Sequence, residues 1–261
     1  MSKLEEVFQN KTAFIPFLVA DDPDFDTTVQ SVLTLAENGA DIIELGIPFS
    51  DPVADGPVIQ AADLKAFKAG VDTNRVFEIV EKVRETCDVP IVFLTYLNIP
   101  FKYGYGKFCQ KCQKLNISGL VIPDCPLEEQ VEIRIYADKY DVDLIPLIAP
   151  TSGDRIEKIA ANAKGFIYVV SSLGVTGVRD DLAVQQLNAT IQRIRKVTDV
   201  PAAIGFGIHS PEQAEQLADV ADGIIIGSAV VKIIDDGGDI QKNLSEYAQN
   251  IKEAIDNELK I

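Results

Sequence analysis

Apolar runs of strand length recur along the chain at 13–19, 41–47, 90–95, 119–122, 143–149, 165–171, 201–205 and 223–227. Between them, 28–37, 74–85, 106–115, 127–140, 154–162, 184–197 and 211–217 carry helical spacing, and amphipathic helices are predicted at the start of the chain and over 239–261. The runs are rich in Ile and Val with little polar alternation, which is the pattern of strands buried on both faces of a parallel sheet covered by helices. Eight such units close into a barrel more readily than they spread into an open sheet. A weak internal echo, in which 82–90 resembles 195–201 as a helix end running into a strand, has the spacing of four βα units. No composition shift or low-complexity tract marks a boundary, so the reading is α/β, one (β/α)8 TIM barrel domain over 1–261.

One strand breaks the apolar pattern. Glu44 interrupts the run 41–47, and the Pro/Gly/Ser-rich loop that follows brings Asp51 and Asp55. In a (β/α)8 barrel the loops after the strands build the active site, so all three acids belong on that face. A carboxyl enclosed by apolar surroundings resists ionisation, the tuning a general acid needs near neutral pH; at a strand end it would simply face water.

Three glycine clusters follow later strands: Gly174 with Gly177, Gly205 with Gly207, and Gly227 before Ser228. The last two fall where such barrels bind phosphate, through backbone N–H groups and the amino terminus of a short helix after the eighth strand. Tight turns alone would also use these glycines. Residues 172–182 suit either a mobile lid or a plain surface loop, and Tyr168 either walls a pocket or fills the core.

Charge narrows the ligands. The formal net charge of −16 opposes nucleic acid and anionic membranes, so an anionic ligand has to be held by local geometry. Hydrophobic content of 47% with 25% charged residues is ordinary for a globular protein, and no run approaches a membrane span. The opening residues lack a secretory h-region, which implies a cytoplasmic protein. The four cysteines are expected to be reduced thiols, since Cys109 and Cys112 have half the spacing of a zinc site and nothing completes it. His209, the sole histidine, precedes a helix start and reads as a cap neighbour. Two carboxylates and a phosphate corner, without a catalytic His, Cys or metal cluster, point to proton transfer on a phosphorylated small molecule.

The run from Glu44 to Gln60, with Glu44, Pro48, Asp51, Asp55 and Pro57, closely resembles the signature of the tryptophan synthase alpha subunit family. So do Phe17 with Asp22-Pro23, Leu94 with Tyr96 and Asn98, Pro123-Asp124, the segment 173–177, and the segment 205–208. The resemblance extends from the first strand to Gly227-Ser228. It implies retro-aldol cleavage of indole-3-glycerol phosphate to indole and glyceraldehyde 3-phosphate. Glu44 matches the general acid/base and Asp55 the carboxylate that binds the indole N–H. Phe17, Leu94, Ile148, Tyr168, Thr176, Gly177, Phe206, Gly207, Gly227 and Ser228 match substrate-lining or phosphate-holding positions. Pro48, Asp51 and Asn98 match the surface facing the beta subunit of an alpha2beta2 complex. That partner carries pyridoxal phosphate, while the alpha chain needs no cofactor and no metal.

Three positions depart from the family pattern. Asp21 stands where Gly is frequent, Ser172 where Arg is frequent, and Pro100 one place later than is common. They bear on loops and partner coupling rather than on the chemistry. Three other readings stay open at this point: a non-catalytic regulatory subunit, another phosphosugar barrel, and a standalone indole-producing lyase.

Overall fold

The structure, a computed structural model, describes residues 2–171, 181–205 and 207–257. Strands β1 (Ala13–Val19), β2 (Ile43–Gly46), β3 (Ile91–Leu94), β4 (Ile117–Val121), β5 (Asp143–Ile145), β6 (Leu147–Ile148), β7 (Ile167–Val170), β8 (Ala202–Gly205) and β9 (Gly223–Ile226) form one parallel sheet. Around it run α1 (Lys3–Val7), α2 (Phe25–Glu37), α3 (Pro57–Ala69), α4 (Thr73–Val83), α5 (Asn98–Tyr103), α6 (Tyr105–Lys114), α7 (Val131–Lys139), α8 (Ile156–Ala160), α9 (Asp181–Arg195), α10 (Pro211–Ala218), α11 (Ser228–Asp236) and α12 (Ile240–Asn257).

The hydrogen-bonded order is β5-β4-β3-β2-β1-β9-β8-β7-β6. Its two ends, β5 and β6, are neighbours in sequence, separated only by Pro146. The run predicted as one strand, 143–149, is therefore two. Proline has no N–H to give to a ladder, so pairing passes from β4 to β7 at this residue. The Pro146 carbonyl still accepts from the Tyr168 N–H at 2.9 Å, which ties the residue between β5 and β6 to β7.

Side-chain alternation divides the core into two layers. Ala13, Ile15, Phe17 and Val19 of β1 join the barrel interior with Val92, Leu94, Val121, Tyr168 and Ala203. Phe14 and Leu18 belong to the outer layer under the helices, with Ile43, Leu45 and Phe93. Burying each such side chain contributes about 1.5–3 kcal/mol, so both layers favour one register. Helix α1 supports the floor: its Leu4 packs into the interior cluster, and Ser2 caps it in a reciprocal capping box with Glu5.

Helices α3 and α5 are additional to those predicted. Gly56 followed by Pro57 opens α3, and Gly70 closes it at φ +90 in the left-handed region that glycine adopts freely. Its buried side, Ala62 and Ala66, packs over the interior cluster.

Candidate active site

Strand parity decides the direction of Glu44. Ile42 is interior while Ile43 and Leu45 are in the outer layer, so the intervening carboxyl points into the barrel, where Glu44 is 1% exposed. In register it lies beside Phe17 of β1 and Val92 of β3. Neither carboxyl oxygen has a hydrogen-bond partner among the described residues. Burial, reinforced by the charge of Asp55, pushes its pKa from 4.5 up to about 8.

Asp55 is half-buried in the loop between β2 and α3. The Tyr96 hydroxyl donates to its Oδ2 at 2.8 Å and accepts from the Ala54 N–H at 3.0 Å. Phe49 stacks on the Tyr96 ring at 4.8 Å between centroids, and the Gln60 amide holds the Asp55 carbonyl at 2.7 Å. Burial raises the Asp55 pKa while the Tyr96 bond opposes the rise. Tyr96 belongs to the quoted motif, but its grip on Asp55 comes from a contact between the neighbouring loops after β3 and β2 that spacing does not reveal.

Glycines shape the wall by what they leave out. A Cβ on Gly46 would lie 2.7 Å from the Phe17 ring, and one on Gly227 would lie 3.3 Å from it, so the ring rests between two bare backbones. Tyr168 lies across Gly205 in the same way, with its hydroxyl 2.5 Å from where a Cβ would be. Burial, with the charges of Glu44 and Asp55, moves the Tyr168 phenol well above its usual range.

On the other side of β1 from β2, α11 begins directly after β9, with Gly227 at its cap and Ser228 as first residue. No side chain caps this helix and no acid occupies its first turn, so its leading N–H groups are available to an anion. Gly207, at φ +78, turns the chain after β8 beside it.

Leu94 takes its place in the interior cluster, near Phe17 and Tyr168. Ile148 does not join it. Its side chain is in the outer layer with Val169 and Leu187, and Leu147 packs on the interior cluster instead. Alternation across Pro146 sets that parity. Asp51 and Asn98 are exposed and Pro48 is buried; Val53, Val58 and Phe101 are exposed apolar residues nearby in sequence. Thr176, Gly177 and Phe206 lie outside the described residues, as does Ser172.

Two further acids carry no role in the sequence reading. Asp22, after β1, is 1% exposed with both carboxyl oxygens unpartnered among the described residues, and Asp63 of α3 is buried. Asp21 departs from the family glycine yet adopts the left-handed φ of +64, and its charge is met by Arg75 Nε at 2.5 Å. The added carboxylate in that loop is thus paired with a cation. Cys109 and Cys112 are buried side by side on α6, and among the described residues no cluster of three or more His, Cys, Asp or Glu has metal-site geometry.

A buried acid with a raised pKa inside a parallel barrel, two strands from a glycine-built anion corner, is the equipment of a barrel enzyme that moves protons on a small anionic substrate. The family model described as tryptophan synthase alpha chain matches residues 3–260. The chain therefore belongs to the tryptophan synthase alpha chain family. It is 59% identical over 257 residues to the tryptophan synthase alpha chain of Lacticaseibacillus casei, covering 98% of this chain and 96% of that one. The alpha chain of Lactiplantibacillus plantarum is 53% identical over 257 residues, covering 98% and 97%. A Mycobacterium tuberculosis tryptophan synthase structure superposes with a TM-score of 0.89 at 32% identity, covering 97% of this chain and 98% of its own. Among the described residues no helix is long and apolar enough to cross a membrane.

Proposed function

We propose that this chain, acting over residues 1–261 as one catalytic barrel, cleaves indole-3-glycerol phosphate to indole and glyceraldehyde 3-phosphate as the alpha subunit of a cytoplasmic tryptophan synthase. The observation that carries the reading is Glu44: a carboxyl buried inside the barrel without hydrogen-bond partners among the described residues, whose pKa burial and the charge of Asp55 push up to about 8.

The chemistry follows from two protonation states. Protonated Glu44 delivers its proton to indole C3, while ionised Asp55 accepts the ring N–H and balances the positive charge that develops there. The resulting Glu44 carboxylate then takes the proton from the neighbouring glycerol hydroxyl. Electrons from that O–H bond form the aldehyde carbonyl, and the pair of the broken C–C bond restores the indole. Phe17, Leu94 and Tyr168 form the wall against the ring, with Leu147 in the place expected of Ile148. Gly207, Gly227, Ser228 and the start of α11 hold the phosphate without a cationic side chain, joined in the family pattern by Gly177 and Phe206, with Thr176 in the lid.

Asp51, Asn98, Val53 and Phe101 supply the exposed side that suits a beta subunit in an alpha2beta2 complex. That subunit holds the pyridoxal phosphate that consumes indole, and the alpha chain uses no cofactor of its own. An indole-formation assay with and without a beta subunit tests substrate, reaction and partner together. Slow cleavage by the isolated chain, accelerated by the partner and reduced by about 10³-fold or more in E44Q, is the expected result. Full activity of E44Q would overturn the assignment of the acid.

A further inference from the structure

Gly207 stands between β8 and α10. Since β8 pairs with β9, whose end opens into α11, the turn at Gly207 and the amino end of α11 lie on neighbouring strand ends. The φ of +78 puts Gly207 in the left-handed region, where glycine is freest and loses most conformational entropy on being fixed. Such a turn presents a defined surface to an anion only if something else sets its peptide planes.

His209, the sole histidine, supplies that constraint. Its Nδ1 lies 3.0 Å from the Gly207 carbonyl oxygen, and because a carbonyl can only accept, the hydrogen is on Nδ1. No other donor among the described residues reaches that oxygen. The backbone of His209 is itself held on both sides. Its N–H donates to Gln213 Oε1 at 2.9 Å, and its carbonyl accepts from the Tyr247 hydroxyl of α12 at 3.1 Å. Ser210, the next residue, caps α10 in a reciprocal capping box with Gln213, and Ile208 before it is buried in the outer core layer.

We propose that His209 is a positioning residue for the phosphate: its Nδ1–H pins the Gly207 carbonyl toward the exposed ring, which fixes the turn and keeps that oxygen's lone pairs off the anion. The inference deepens the reading given above and rests on it for the identity of the substrate.

The bond needs only the Nδ1 hydrogen, which the imidazolium and one neutral tautomer both carry, so the effect is one of geometry and not of charge. A turn already ordered loses less freedom when the anion binds, and the preorganisation appears as affinity. It acts on the phosphate end of the substrate, three strands along the sheet from Glu44, and so on ground state and transition state alike.

The test exploits side-chain length: an Asn amide nitrogen occupies the place of Nδ1, whereas a Gln amide reaches the place of Nε2. H209A and H209Q are expected to raise the Kd for inorganic phosphate, read by 31P NMR titration of the free chain, by about 3- to 10-fold, the worth of one hydrogen bond. KM for indole-3-glycerol phosphate rises by the same factor while kcat stays near the wild-type value. H209N, neutral but able to donate, restores both constants. With no second histidine in the chain, 15N NMR of the imidazole reads the tautomer directly, and in alkaline buffer the hydrogen is expected on Nδ1. Phosphate binding that is absent from wild type or unchanged in H209A, no recovery in H209N, a loss in kcat rather than KM, or a ring hydrogen on Nε2 would each overturn the proposal. A chain that cleaves no indole-3-glycerol phosphate, yet whose phosphate affinity falls in H209A and H209Q and returns in H209N, would instead overturn the reaction and leave the positioning role standing.

Discussion

Glu44 and Asp55 differ in what surrounds them rather than in what they are. Glu44 has only apolar walls and a nearby negative charge, whereas Asp55 has a phenol donor and part of its surface in water. The proton carried by Glu44 makes turnover sensitive to alkali: kcat is expected to fall above about pH 8, and a stopped-time indole assay across pH reads the limb. Stability depends on the same proton. Glu44 binds it more tightly folded than unfolded, so its contribution is fully present below pH 4.5 and is lost as pH rises toward about 8, at up to about 1.4 kcal/mol per pH unit. E44Q should therefore raise Tm at pH 8 far more than at pH 5, which thermal unfolding at the two pH values checks. Burial also moves the thiols of Cys109 and Cys125 up to about 11 and that of Cys112 well above its usual range. A thiol reagent on native protein should accordingly label half-buried Cys87 first, as peptide mapping would show. At this scale the two carboxylates were legible because acids in or beside an apolar strand are unusual. The hold of Tyr96 on Asp55 was not, because the two are 41 residues apart along the chain.

Strands were the most legible elements, since β-branched runs bounded by turns mark them whatever the tertiary contacts. Helix α3 was overlooked although Pro57 opens it and Gly70 closes it, because the Glu44–Gln60 run was read for its chemistry rather than its periodicity. The place of Ile148 was misread for a related reason: side-chain parity in 143–149 is fixed by pairing on both sides of Pro146, which a single run does not display. Packing between elements yields a sharper expectation. Gly46, Gly205 and Gly227 belong to strands or strand ends, and two of them admit no Cβ without moving a ring of the site. G205A should displace Tyr168, cost about 1–3 kcal/mol in urea unfolding and lower indole formation more than it lowers phosphate binding. G46A should act through Phe17 and move the indole wall beside Glu44.

The whole molecule sets a field against its own ligand. A net charge of −16 repels a phosphate-bearing substrate at long range, while the neutral N–H groups around α11 act only at contact. Added salt screens the first effect beyond about 8 Å and leaves the second largely intact. Hence kcat/KM should increase with moderate ionic strength, which a chloride series at constant pH measures. The closure of the barrel was legible as a count of strand–helix units; the manner of closure was not.

That manner of closure has a dynamic consequence. Every other neighbouring pair of strands is laced by a ladder, but between β5 and β6 the wall passes through a single residue with no amide hydrogen, so the cylinder has a seam. Local opening of a fold begins where the fewest bonds must break together. Amide hydrogen exchange should therefore be fastest, among the strands, on the two sides of Pro146 and slowest at β1 and β2, which places the most readily loosened wall beside Tyr168 and the most rigid one beneath Glu44.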